Sequence, residues 1–322
     1  MKFRTEIFLQ KSSLKISHQD KILLAGSCFA ENMQAYFRRF LFDVLSNPHG
    51  VIYNPVSLHR ALQDVANKKI YELKDLHFYN ELYFSAAHHT SFSDTDSSVC
   101  LEKINTSITQ AHQHLQNANV LIITLGSAYV YAWNETGANY FGTPSEIVAN
   151  CHKLPNTFFQ KRLLSLEEIV QTLQDTIRIF PDKKIIFTVS PVRHWRDGAV
   201  ENMRSKSLLI EAIHRVAEQS AAVYYFPAFE LMMDDLRDYR FYEEDLLHPN
   251  KTAVNYIWDK FAATFFDEET QLLNKKIDAI QAMKSHRPRF EDTQAYQAHK
   301  QKIEQEINVL TTQYPYLDFT QK

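Results

Sequence analysis

The sequence predicts an α/β fold built on a mainly parallel central sheet, and three observations carry that expectation. Four apolar stretches of strand length alternate with stretches of helical periodicity. The first three of these strands stop abruptly at small or polar residues, at Gly26-Ser27, Gly126-Ser127 and Ser190. Two long polar insertions separate the units, as loops standing above one edge of a sheet would do. In such sheets, ligands sit outside the carboxyl ends of the strands. Ser27, Ser127, Arg193 and His194 are therefore expected to converge on one edge.

Taken in order, residues 1–20 read as a short strand or arm, 21–25 as the first apolar strand and 28–42 as a helix. Two Asn and two Pro bracket the segment 47–55, which reads as a loop around a brief extended piece, and 57–66 resumes a helix. Residues 71–100 are irregular and hold His77, His88 and His89, so a long excursion is expected there. A helix over 105–116 leads into the strand 119–125. A second insertion runs from 129 to about 164. Ser165 then begins a helix, with Glu168 at the capping-box spacing. The strand 184–189, a helix over 202–219, the strand 222–226 and a strongly amphipathic helix over 251–266 complete the unit. The boundary is expected near residue 270, and 271–322 read as a polar helical C-terminal extension offering a surface for oligomerisation.

Composition narrows the function classes. The 322 residues are 45% hydrophobic with a formal net charge of −3, enough for a large core and without the basic excess of a general nucleic-acid binder. Three cysteines with no C-x-x-C spacing suggest neither a disulfide framework nor a structural zinc site. No secretory h-region and no run of about 18 apolar residues occurs, so no membrane partner and a cytoplasmic location are expected. No G-x-G-x-x-G or Walker A sequence is present, so no nucleotide cofactor is expected. His112 and His114 stand two apart on a helix and point to different faces, which argues against their sharing a metal ion. No metal site is expected.

The chemistry-bearing candidates are a serine and an Asp-x-x-His. A serine between a strand and a helix can present its hydroxyl beside the N–H groups of the helix start, although serine in that place also serves as a plain helix cap. Asp245 and His248 are spaced so that the carboxylate can hold one imidazole nitrogen while the other faces outward. Cys28, next to Ser27, is expected to face the core as a small apolar residue.

The stretch Gly26-Ser-Cys-Phe-Ala30 reproduces the signature of the GSCFA family, and the chain resembles that family over roughly residues 20–262. The resemblance extends to Asn47–Pro55, Asn150–Lys153, Ser190–His194 and Arg240–Pro249. It implies the three-layer α/β/α sandwich of the SGNH (GDSL-like) hydrolases, whose members are esterases, lipases and acyltransferases. By that resemblance Ser27, His248 and Asp245 correspond to nucleophile, base and orienting acid. Ser27 and Gly50 are expected to contribute oxyanion-hole N–H groups, with Gly126 and Ser127 occupying the third block. That block has Ala128 where the pattern expects asparagine, and loss of one such donor costs about 2.7–4 kcal/mol of transition-state stabilisation. His88, His89, His152, Arg193 and His194 are candidates to line the substrate site. The implied activity is a serine esterase or O-acyltransferase on a short acyl ester, a carbohydrate ester included. The alternative is a non-catalytic carbohydrate- or acyl-binding protein on the same fold.

Overall fold

The structure, a computed structural model, describes residues 4–285, 290 and 293–320. The chain runs β1 (Lys21–Gly26), α1 (Cys28–Arg39), β2 (Asp43–Ser46), α2 (Pro55–Ala66), β3 (His77–Tyr79), β4 (Leu82–Phe84), α3 (Ser97–Asn117), β5 (Val120–Leu125), β6 (Tyr129–Trp133), α4 (Glu135–Phe141), β7 (Ile147–Val148) and β8 (Phe159–Leu163). It continues with α5 (Leu166–Ile179), β9 (Lys184–Val189), α6 (Ala199–Ala217), β10 (Val223–Phe226), the single turn α7 (Ala228–Glu230), α8 (Lys251–Phe265), α9 (Glu268–Ser285) and α10 (Gln294–Gln313).

Local chemistry starts the helices. Ser27, Asn54, Ser165 and Asn250 each cap α1, α2, α5 and α8 with a side-chain oxygen, Pro55 opens α2, and Ser165 with Glu168 completes a capping box. Asp96 caps α3, which starts eight residues before the expected 105; its buried stripe already begins at Cys100, inside the stretch read as irregular, and continues at Ile104.

The central sheet has five strands in the order β10-β9-β5-β1-β2, with every pair parallel. One more strand is present than the sequence predicts. The helix expected to reach Phe42 ends at Arg39, Leu41 takes a left-handed φ of 63°, and Asp43–Ser46 pairs with Lys21–Leu24 as a short edge strand. Of its four residues only Val44 is buried, so no apolar run marks it. Both insertions also hold sheet structure of their own: β3 and β4 form a hairpin, and β6 pairs antiparallel with β7 and β8.

Alternate residues of the inner strands face opposite layers. Leu23, Ala25, Leu121, Ile123, Ile185 and Phe187 pack with α2, α3, α5 and α6. Ile22, Leu24, Ile122 and Ile186 pack with α1 and α8 on the other side, where Phe29, Phe37, Trp258 and Phe261 build an aromatic block. The result is a three-layer α/β/α sandwich. The helices α9 and α10 enclose a small separate core with Leu41, through Leu273, Ile277, Ile280, Leu310 and Leu317. Among the described residues no helix is long and apolar enough to cross a membrane.

Candidate active site

With this strand order, the chain reverses its direction of winding between β1 and β5, and the crevice outside their carboxyl ends is where ligands of open α/β sheets bind. Ser27 stands there. Gly26, at φ +132°, lets the strand turn, and a Cβ on it would lie 2.0 Å from the Thr124 carbonyl oxygen. Ser27 is fully buried; its hydroxyl accepts the Phe29 N–H at 3.3 Å and its own N–H donates to the Thr124 carbonyl at 3.0 Å.

Asp245 and His248 meet as their spacing predicts. The Asp245 carboxylate accepts the N–H groups of His248 and Leu247, each at 2.9 Å, and its other oxygen lies 2.5 Å from His248 Nδ1. Leu246, at φ 59°, closes the turn. The His248 N–H first, then its imidazole and the Leu247 N–H, hold the Asp245 carboxyl down to about 2. Both side chains are about half exposed, at 49% and 46%. No hydrogen bond joins the Ser27 hydroxyl to His248 among the described residues.

A cleft of about 610 Å³ opens past the end of β5, lined in part by Tyr53, Ser127, Tyr129, His152, His194 and Arg196, and Ser27, Asp245 and His248 are not among its lining residues. The His194 N–H donates to Asn202 Oδ1, its Nε2 is buried without a partner, and its ring meets that of Tyr53 edge to face. Burial pulls His194 down to about 4, the Lys206 ammonium adding to the effect and the His248 charge acting in the same direction. His152 donates through Nε2 to the Ser85 carbonyl, and burial lowers it also to about 4. The cleft thus carries neutral, polar rings.

The remaining candidates are placed differently. Gly50, at φ +76°, donates its N–H to the Asn47 carbonyl at 2.7 Å, and a Cβ there would strike the His89 side chain. Its glycine is required by a turn. Gly126 and Ser127 donate their N–H groups to the Tyr53 carbonyl at 2.8 and 3.0 Å. With the Ser27 N–H on Thr124, all four expected oxyanion donors are engaged in backbone bonds. Cys28, the first helical residue, carries an N–H for which the helix has no acceptor. The residue is of intermediate burial, outside the fully buried stripe that Phe29, Ala30, Met33 and Phe37 form on α1, and burial raises its thiol.

His88 does not line the cleft. It is fully buried, stacked on His49 with centroids 4.3 Å apart and bonded to Ser85. His89 is turned to Ser91, where it caps a short helical turn. Arg193 lies over the Trp195 ring at 4.7 Å, beside a separate apolar groove. Sequence reasoning missed Tyr53 and the polar strip Asn202, Ser205 and Lys206 on α6. The strip's i, i+3, i+4 spacing was a signal for a shared face, but polar residues on a helix are ordinarily taken for the solvent side. Among the described residues no group of three or more His, Cys, Asp or Glu is placed to hold a metal ion.

The model of the GSCFA family matches residues 21–261, and that of the GSCFA domain protein, C-terminal domain, matches residues 277–322. No curated protein matches the chain. Among solved structures, the family 3 carbohydrate esterase of Clostridium thermocellum is similar at 8% identity and a TM-score of 0.36, over 80% of this chain and 98% of that one. A carbohydrate esterase family 3 structure from Talaromyces cellulolyticus is similar at 8% identity and a TM-score of 0.33, over 80% and 99% of the two chains.

Proposed function

The chain belongs to the GSCFA family, and from that premise we propose that it is a serine esterase or O-acyltransferase acting on a short acyl ester, carbohydrate esters included. The observation that carries this reading is the Asp245–His248 pair. A carboxylate fixed by two backbone N–H groups holds one imidazole nitrogen at 2.5 Å and leaves the other outward, as a general base for a hydroxyl requires.

In this reading the Ser27 hydroxyl leaves its bond with Phe29, gives its proton to His248 Nε2 and adds to the acyl carbonyl. The tetrahedral intermediate collapses as His248 returns the proton to the leaving alcohol. Water or a second alcohol, deprotonated by His248, then releases the acyl group from Ser27. The polar rings of Tyr53, Tyr129, His152 and His194 suit a hydroxyl-rich substrate in the cleft.

Two features favour the binding-protein alternative: Ser27 is enclosed, and the four expected oxyanion donors are engaged. Intact-mass analysis after exposure to a fluorophosphonate separates the readings. The esterase reading expects a single adduct on Ser27, lost in Ser27→Ala and His248→Ala. Folded protein that forms no adduct across a range of pH would count heavily against the triad and favour the binding reading instead.

A further inference from the structure

Helix α6 turns a buried polar strip toward the carboxyl edge of the sheet. Asn202 accepts the His194 N–H at 2.9 Å, Ser205 accepts the Ala128 N–H at 2.7 Å, and Lys206 donates to the Ser190 carbonyl at 2.8 Å. The first two are short polar side chains tying loops to a helix. Lys206 is different in kind, for it is an amine at 0% exposure with one hydrogen bond and no carboxylate paired with it among the described residues.

The bond to Ser190, the residue after β9, places its amine at the carboxyl edge of the sheet. It touches the Ser190 carbonyl and has the Phe229 ring of α7 at 5.4 Å, and its charge acts on Cys28, next to Ser27 at the start of α1, and on His194 from the loop after β9. None supplies a fixed negative charge. A buried ammonium without a counter-ion is strongly unfavourable, and such groups concentrate where a reaction creates the opposite charge. Meanwhile the N–H groups of Ser27, Gly50, Gly126 and Ser127 all donate to carbonyls, so none of the expected donors is free and the Cys28 N–H needs a further positive partner to hold an oxyanion.

We infer that Lys206 is a positioning residue for the Ser27 turn, its ammonium supplying the field that holds negative charge forming on an acyl group at Ser27. The inference rests on the esterase reading above and specifies what replaces the engaged N–H donors. Burial draws the Lys206 amine down to about 7, so its charge is in balance near neutral pH and is drawn out when an anion forms beside it. This electrostatic contribution acts in a site closed to water, where it is strongest.

The test is the rate at which a fluorophosphonate labels Ser27, read by intact mass from pH 6 to 9, in the wild type, Lys206→Met and Lys206→Arg. Lys206→Met is expected to slow labelling about tenfold or more at pH 6.5 and to lose the pH dependence that lysine imposes near 7. Lys206→Arg is expected to keep the rate within about threefold at pH 6.5 and to exceed the wild type at pH 8.5, since the guanidinium stays charged. Equal losses in both variants with an unchanged pH profile would mean that Lys206 only anchors Ser190, and would overturn the inference while leaving the esterase reading intact. A wild type that forms no adduct overturns both. If one variant does not fold, the profile of the other decides.

Discussion

Tyr53 and His194 meet edge to face above Gly126, with ring centroids 4.8 Å apart and the Tyr53 ring so close to Gly126 that a Cβ there would lie 2.7 Å from Cδ1. The same tyrosine receives the N–H groups of Gly126 and Ser127 on its carbonyl, and burial, followed by Cys28 and Glu31, raises its phenol to about 12. Tyr53 therefore ties the cleft to the end of β5, the strand paired with the one that leads into Ser27.

Removing that ring tests whether it closes the serine turn. Tyr53→Ala keeps the carbonyl that orders residues 126 and 127, and is expected to accelerate fluorophosphonate labelling of Ser27 several-fold. The expected loss of stability is about 1–2 kcal/mol, measured by urea unfolding. An unchanged labelling rate would show that the enclosure of Ser27 comes from elsewhere.

Asp245 is the cleanest test of the acid–base pair. Asp245→Asn preserves shape but removes the charge that favours a proton on Nδ1, and it is expected to lower acyl transfer by about 10³–10⁴. Because the pair is half exposed, its stability effect should stay below about 1 kcal/mol. Ester hydrolysis and thermal unfolding, measured on the same preparation, check both statements.

Lys206 also predicts a stability profile. Its folded pKa of about 7 lies below the ordinary lysine value of about 10.4. Between those values the unfolded chain holds a proton that the folded chain does not, so wild-type stability gains as pH rises from 7 toward 10. In Lys206→Met this contribution vanishes. The urea midpoints of the two proteins, compared at pH 7 and 9.5, should converge at the higher pH, with the variant the more stable at pH 7.

Buried histidines set the acid limit. His18, His152 and His194 are each lowered to about 4, in every case first by burial. Unfolded, they take up protons near 6.5, so stability is present above that value and is lost as pH falls through the window from 6.5 to 4. His152→Gln and His194→Gln should each flatten the slope of unfolding free energy in that window. A wild-type midpoint that does not move between pH 7 and 5 would contradict the assignment.

Gly26 is expected to tolerate no side chain. At φ +132°, with the Thr124 oxygen 2.0 Å from a Cβ position, Gly26→Ala strains the turn and separates β1 from β5. A loss of about 3 kcal/mol or more is expected, read as a drop in soluble yield and in the unfolding midpoint.

Much of this was legible in one dimension because it is local. Strand and helix periodicity, the caps at Ser27 and Ser165, and the three-residue reach from Asp245 to His248 depend only on neighbours along the chain. They sufficed for a parallel α/β sandwich, for the family and for the contact between Asp245 and His248. The short edge strand β2 escaped because its partner, β1, supplies the pairing that its four residues do not advertise. The oxyanion assignments rested on residue type, whereas the availability of an N–H depends on which carbonyl lies opposite it. Thr124 and Tyr53, from separate parts of the chain, occupy those positions. Tyr53, Asn202, Ser205 and Lys206 are likewise ordinary in sequence. Only when α6 is laid against the strand ends does a lysine become a buried amine with no carboxylate partner among the described residues, because burial and electrostatic environment belong to the packed fold and not to the order of residues.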